Sequence, residues 1–230
     1  MDIRTVHHPV VRAGGRALKR LNDRHPWNHN DHYHPWILRR LPPGRRSALD
    51  VGCGVGKLLD RLRGRFDEVL GIDADATMAA AARARLAGDP SVTVRNARFE
   101  EVEGTFDAVT MVAVLHHLPL EEALRHAAAL LAPGGRLLVV GLARPDSAAD
   151  LAWDLVSALL NPLVGLVRHP RPVRTPVPDA GPPMPVRDPR ETFAEIARTA
   201  REVLPGARVR HRLFFRYTLE WTRPAGRPRE

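Results

Sequence analysis

A parallel α/β sheet covered by helices on both faces is the fold class this chain predicts, and three observations predict it. From Arg45 to Leu142, short apolar runs alternate with helix-period segments, the pattern of consecutive strand-helix units. The first run, Arg46 to Val51, breaks at three alternate glycines, Gly52, Gly54 and Gly56, before Lys57-Leu58-Leu59 opens a helix. The chain closes on Val209 to Phe214 and Tyr217 to Thr222, two strands joined by a tight turn as an antiparallel hairpin at the sheet edge. At 230 residues this is one domain with an elaboration, since a second core would be cramped.

Residues 1–44 read as an N-terminal cap or lid, outside the sheet and not needed for the core to fold. Leu18 and Leu21 among arginines indicate a short helix. Trp27 to Trp36 then concentrates aromatic and imidazole groups, and Ile37, Leu38 and Leu41 continue at helical spacing until Pro42-Pro43-Gly44. His29 and His32 are an i, i+3 pair, but no HExxH pattern or nearby cysteine points to a metal. Packing and capping are their expected roles, and no metal is assigned.

Within 45–142, a helix runs from Lys57 to about Gly64, and Glu68 to Asp73 is strand two with an acid at its carboxyl end. Asp75 caps the helix that carries Met78, Ala82 and Leu86, which Gly88-Asp89-Pro90 ends. Val92 to Arg95 is strand three and Phe106 to Val112 strand four. A helix from Leu120 to Leu131 stops at Pro133-Gly134-Gly135, and Leu137 to Leu142 is strand five.

Residues 143–189 depart from the alternation. Ser147, Asp150, Asp154, Ser157, Asn161 and Arg168 trace one narrow stripe on an otherwise apolar amphipathic helix, with a kink expected at Pro162. Eight prolines make 169–189 a stiff linker. Asp188-Pro189-Arg190-Glu191 restarts a helix whose Phe193, Ile196, Ala200 and Leu204 face inward and which Pro205-Gly206 ends. This helix and the hairpin occupy 190–223, and 224–230 form a tail.

The net charge of +9 sits at the two ends: residues 1–47 and 165–230 are strongly basic, and 48–164 are acidic. Basic chains invite nucleic acid, yet 33 of the 35 cations are arginine beside abundant Ala, Gly and Pro, so a solvated arginine-rich surface is the preferred reading. No apolar run reaches the roughly 18 residues that span a bilayer, and no signal-peptide core follows Met1. Cys53 stands alone, which excludes an internal disulfide and makes a reducing cytoplasm the default.

In open α/β sheets ligands bind at the carboxyl ends of the strands, where the strand order reverses. Asp50 aims a carboxylate into that crevice, and the loop Gly52–Gly56 offers close backbone approach beside a helix N-terminus. Asp73, 23 residues on, suits a ribose diol. The Asn96 side-chain oxygen suits an adenine amino group, the Ala97 N–H a ring nitrogen, and the carbonyls of Met111-Val112 a cationic ammonium. The glycine spacing differs from the Gly-x-Gly-x-x-Gly of dinucleotide sites, which disfavours a dehydrogenase.

Asp50 to Gly56, Gly71-Ile72-Asp73, Phe106-Asp107-Ala108-Val109 with Leu115-His116-His117-Leu118, and Pro133-Gly134-Gly135-Arg136-Leu137 together resemble the motifs of class I S-adenosylmethionine (SAM) methyltransferases. The resemblance is to the small-molecule group that includes quinone C-methyltransferases, and covers about residues 45–142 and the closing hairpin. It implies a Rossmann-like seven-stranded sheet ordered 3-2-1-4-5-7-6 with strand seven antiparallel, and SAM as cofactor with S-adenosylhomocysteine as product. It also implies cofactor contacts at Asp50, Gly52, Cys53, Gly54, Gly56, Asp73, Ala74, Met78, Asn96, Ala97 and Val112, with Tyr33 from the lid. Many relatives carry Gly-Asp after strand three where Arg95-Asn96 stands here; asparagine keeps the acceptor oxygen but loses the charge.

In methyl transfer the protein aligns the acceptor and, where needed, removes its proton. His117, and after it His116, lie where an acceptor would approach; His29, His32 and Tyr33 are rival bases in the lid. The inserted helix and proline-rich segment are expected to roof the acceptor pocket, with Arg168, Arg171 and Arg174 able to hold a carboxylate or phosphate. The expected acceptor is a small molecule or a peptide of natural-product type, and a homodimer stays open. Against an RNA or DNA methyltransferase, strand four lacks the Asn/Asp-Pro-Pro-aromatic ending that grips a base amine. Against a non-catalytic SAM-binding protein stands the intact Asp50, Gly52, Gly54, Gly56 and Asp73 set.

Overall fold

The computed structural model describes residues 27–168, 170 and 187–225. Its strands are β1 (Ser47–Val51), β2 (Glu68–Asp73), β3 (Val92–Asn96), β4 (Phe106–Val112), β5 (Leu131–Gly141), β6 (Arg208–Arg212) and β7 (Arg216–Thr222). They form one sheet ordered β3-β2-β1-β4-β5-β7-β6. β3 to β5 pair in parallel, and β7 runs antiparallel to both β5 and β6, as the resemblance implied. β4 is buried along almost its whole length, which is why its sequence reads as an unbroken apolar run.

The helices are α1 (His29–Leu38), α2 (Leu59–Leu62), α3 (Ala76–Arg85), α4 (Leu120–Leu130), α5 (Ala148–Arg168) and α6 (Phe193–Val203). α4 and α6 cover one face, where Leu124, Leu130, Ile196 and Leu204 pack with Leu49, Val109, Val139 and Leu219. α1, α2 and α3 cover the other, where Ile37, Leu59, Leu62 and Ala82 pack with Ala48, Val69, Leu138 and Val140. The strand order turns back between β1 and β4, and this places the crevice at their carboxyl ends.

Several local expectations need correction. α1 is part of the core as well as a cap: Tyr33, Trp36 and Ile37 are buried in the same cluster as β1 and β5. α2 is a single turn rather than a helix from Lys57 to Gly64, because Gly64 leaves it with φ +72°. α4 passes straight into β5 at Leu131, and Pro133-Gly134-Gly135 lie inside the strand, as a bulge in its pairing with β4, instead of preceding it. Phe106 pairs with Leu131, and pairing resumes between Ala108 and Arg136. α6 starts at Phe193, not Asp188: the Thr192 hydroxyl accepts from the Glu195 N–H (3.2 Å), and the Glu195 carboxylate accepts from the Thr192 N–H (2.8 Å). The expected helix around Leu18 and most of the proline-rich segment lie outside the described residues.

α5 runs for 21 residues with Pro162 inside it. Its stretch Asp150–Val167 is long and apolar enough to cross a membrane by length and composition, with mean hydropathy 1.4, which the count of uninterrupted apolar residues had missed. The polar stripe faces the protein. Ser157 is buried and its hydroxyl accepts the Phe214 N–H (2.9 Å), Asp150 lies 3.3 Å from the His211 ring, and the Asn161 carbonyl accepts from the Trp27 indole (3.1 Å). The apolar side faces outward.

Candidate active site

The loop after β1 is shaped by three left-handed glycines, Gly52 at φ +66°, Gly54 at φ +53° and Gly56 at φ +79°. A Cβ on Gly52 would stand 2.6 Å from Val114 Cγ2. Val114 reaches that place because Ala113, itself left-handed at φ +55°, turns the chain sharply out of β4. The Cys53 N–H donates to the Ile72 carbonyl (2.9 Å), which ties the loop to β2. Burial raises the Cys53 thiol well above its ordinary range, so it is a packing group and not a nucleophile. Gly56 lies against Ala82 of α3.

Asp73 organises the next loop. Its Oδ2 accepts the Gly54 N–H (2.8 Å) and its Oδ1 the Asp75 N–H (2.9 Å), so the carboxylate clamps the glycine loop while keeping lone pairs for a diol. Asn96 Nδ2 donates to the carbonyls of Asp73 (2.9 Å) and Ala74 (3.1 Å), which leaves the side-chain oxygen as its free acceptor. The Ala97 N–H is already engaged by the Asp73 carbonyl (3.2 Å), so the expectation that it faces a ring nitrogen gives way. Met78 is buried and its N–H caps onto Asp75, while half-buried Val112 ends β4 at the crevice.

Asp50 is buried beside Thr110, whose hydroxyl donates to it (2.7 Å). Burial pushes its carboxyl up to about 7; the Thr110 bond opposes this and the Asp73 charge adds to it. The folded state therefore holds this proton more tightly than the unfolded chain, and Asp50 by itself lowers stability as pH rises from about 4 to about 7. A cation bound in the crevice favours the ionised form. Affinity for a ligand with an ammonium is expected to rise between pH 6 and 8, and Asp50→Asn to flatten that dependence. Calorimetric titration across the range checks it, and an equally steep profile in the variant would exclude Asp50 as the group that titrates.

His116 and His117 sit in the turn after β4 with ring centroids 4.2 Å apart. Burial drops His116 to about 4, with His117, Arg216 and Arg187 adding to the effect, and its Nδ1 has no hydrogen-bond partner among the described residues. Burial and Arg187 also lower His117, while the Asp73 charge acts in the opposite sense. Both imidazoles are therefore held below their ordinary range in the turn that follows β4.

The lid histidines are engaged in packing. His29 Nε2 lies 2.8 Å from Asn161 Oδ1, and the rings of His29 and His32 pack on Phe214. The Tyr33 hydroxyl donates to the Leu213 carbonyl (2.7 Å), and burial pushes it up to about 12, so it enters no proton transfer near neutral pH. Arg216, at the start of β7, donates through Nε (3.2 Å) and Nη2 (2.9 Å) to Asn30 Oδ1 and through Nη1 to the Phe214 and Phe215 carbonyls. Burial pushes it down to about 10, which leaves it charged at neutral pH, and no carboxylate among the described residues neutralises it. Sequence reasoning missed Arg216, Arg187, Thr110 and Val114. One arginine among 33 carries no local mark, and contact with Asn30 spans 186 residues.

A carboxylate aimed at a diol, a free amide oxygen at the end of β3, a buried carboxylate and a glycine cradle fit an adenosyl group linked to an amino acid. With the 3-2-1-4-5-7-6 sheet they define a class I SAM-dependent methyltransferase. The chain belongs to that family. A methyltransferase-domain family model matches residues 49–137. An uncharacterized methyltransferase of Mycobacterium tuberculosis is 33% identical over 207 residues, which cover 86% of this chain and 98% of that protein. A ubiquinone biosynthesis O-methyltransferase of Xanthomonas axonopodis pv. citri is 35% identical over 123 residues, 51% of this chain and 52% of that one. Magnesium protoporphyrin IX methyltransferase from Synechocystis, solved with bound SAH, shares the fold at a TM-score of 0.53 and 22% identity, covering 96% of this chain and 100% of that chain.

Proposed function

We propose that this methyltransferase acts on a small-molecule acceptor that presents an anionic group, a carboxylate or phenolate, to Arg216. The observation that carries the reading is the Arg216 guanidinium: charged, largely buried, without a carboxylate partner among the described residues, and adding to the burial that keeps the His116 ring unprotonated. A cation buried without a counter-charge is costly unless a ligand supplies one. The O-methyltransferase relative named for ubiquinone biosynthesis supports a small acceptor of this kind.

Bound SAM supplies an electrophilic methyl group on a sulfonium. Asp73 and Asn96 are placed to hold the nucleoside, and the Gly52–Gly56 loop with Asp50 the amino-acid end. An acceptor whose nucleophile is already an anion needs no strong base, and this matches two histidines held below their ordinary range. His116 offers its unpartnered Nδ1 to the acceptor as a hydrogen-bonding and positioning group, with His117 beside it towards Asp73. Arg187 adds a second cation near both rings.

The test is a screen of acidic small molecules against their amides with labelled cofactor. Acidic acceptors are expected to be preferred. Arg216→Gln should raise KM for them by about tenfold or more, the scale of one lost charged hydrogen bond. Arg216→Lys should recover part of the loss, and calorimetric affinity for the cofactor should stay near that of the wild type. Equal turnover of acidic acceptors and their amides would overturn the reading.

A further inference from the structure

We propose that the outward face of α5 docks the protein on an anionic lipid surface, with the helix lying in the plane of the membrane. Leu155, Val156, Leu159, Leu163, Leu166 and Val167 are all exposed, Leu159 at 59% and Val167 at 82%. They fall on one side of a helix of 21 residues, and Trp153 stands exposed at the margin of that side. A continuous apolar strip of this length is not a scatter of surface leucines, and soluble monomers rarely present one.

The opposite side decides how such a helix meets a bilayer. Ser157 is bonded to the Phe214 N–H, Asn161 to Trp27 and His29, and Asp150 pairs with His211. These contacts fasten the polar stripe to the body of the protein. Spanning the membrane would break all of them and carry Asp150 and Asp154 into hydrocarbon, so the helix binds flat, apolar side down.

Charge selects the occupant. Between Ala148 and Val167 the only charged residues are the two aspartates of the inner stripe, so the outward side is uncharged. The chain that flanks the helix is basic on both sides. Residues 1–26 lead directly to Trp27, whose indole donates to the Asn161 carbonyl, and they hold six cations against two acids. Residues 168–186 hold three cations against one acid. An apolar helix face joined along the chain to arginine-rich segments is complementary to anionic headgroups over an acyl layer. A second copy of the chain fits less well, since an α5–α5 contact would bring the same basic segments together.

Co-sedimentation of the full-length protein with vesicles tests the proposal. Phosphatidylcholine vesicles containing phosphatidylglycerol should retain the protein, and phosphatidylcholine alone should retain it weakly. Raising salt should shift it to the supernatant. Leu159→Glu with Leu163→Glu should lower partitioning by at least about tenfold, since two leucines are replaced by charges on the membrane side. Both positions are exposed, so cofactor affinity and melting temperature should stay near wild type, which separates loss of docking from loss of fold. Arg12→Gln, Arg16→Gln and Arg20→Gln together should weaken binding to the anionic vesicles and reduce its salt dependence. The proposal is overturned if the wild type stays in the supernatant with anionic vesicles, or if the leucine variant binds as well as the wild type. It is also overturned if light scattering finds a dimer that the leucine variant dissociates while vesicles capture neither protein; the occupant is then a second copy.

Discussion

Asp73→Ala is expected to abolish useful cofactor binding in a protein that still folds. The Asp73 carboxylate accepts the Gly54 N–H at 2.8 Å and the Asp75 N–H at 2.9 Å, so its loss removes one of the two bonds that tie the glycine loop to β2 as well as the acceptor for a ribose diol. Charge-assisted hydrogen bonds contribute about 1.5–3 kcal/mol each, which puts the loss in SAM affinity at about 2–4 kcal/mol, or roughly 30- to 1,000-fold. Asp73→Asn should fall between, since the amide keeps one acceptor oxygen and loses the charge. Calorimetry on both variants separates the contributions. Unchanged affinity in a folded Asp73→Ala protein would remove Asp73 from the site.

Gly52→Ala should produce the second-largest loss, and a companion substitution should partly repair it. The new Cβ meets Val114 Cγ2 at 2.6 Å, and φ +66° disfavours any L side chain. The left-handed backbone costs about 1–2 kcal/mol and the overlap a further ~1–3 kcal/mol, paid in loop geometry and therefore in cofactor affinity. Val114→Ala removes the overlapping methyls but leaves its own Cβ 2.8 Å from the new one, together with the backbone strain. The double variant should therefore regain a minor part of the lost affinity, while Val114→Ala alone changes cofactor binding little. If the double variant binds no better than Gly52→Ala, the Val114 contact is not what requires glycine there. The pair also joins the glycine loop to the turn that carries His116 and His117.

The parts of this molecule that were legible in its sequence are those that depend on neighbours in the chain. Asp50 to Gly56, the acid at Asp73 and the cap at Asp75 sit in local strand-turn-helix chemistry, and the structure places them at adjoining loops of one crevice. The elements that misled did so for physical reasons. Pro133-Gly134-Gly135 carries the composition of a helix stop, yet Leu131 and Ala132 before it are already buried and paired in β5. Asp188-Pro189 imitates a helix start, but Thr192 and Glu195 form the reciprocal cap. The periodicity of α5 revealed a polar stripe and an apolar one; it could not say which faces the protein, because both sides of an amphipathic helix share one period. Arg216 was invisible for the opposite reason, since its role comes from partners that only the fold brings near.

The turn at Leu213-Phe214-Phe215 has a consequence for the order in which the molecule is made. Phe214 and Phe215 are both left-handed, at φ +60°, and this turn receives Tyr33 through a bond spanning 180 residues; Asn30 meets Arg216 just beyond it, 186 residues away. During synthesis α1 emerges well before its anchors, which follow 180 and 186 residues later. The strand-helix units from β1 to β5 have nearby partners and can assemble while α1 waits, with Trp36 and Ile37 uncovered until β5 arrives. Closure of α1 onto this hairpin follows once β6 and β7 are made. A nascent chain that stops before Leu213 can hold most of the sheet yet lacks the carbonyl of Leu213 and the guanidinium of Arg216 to which Tyr33 and Asn30 bond.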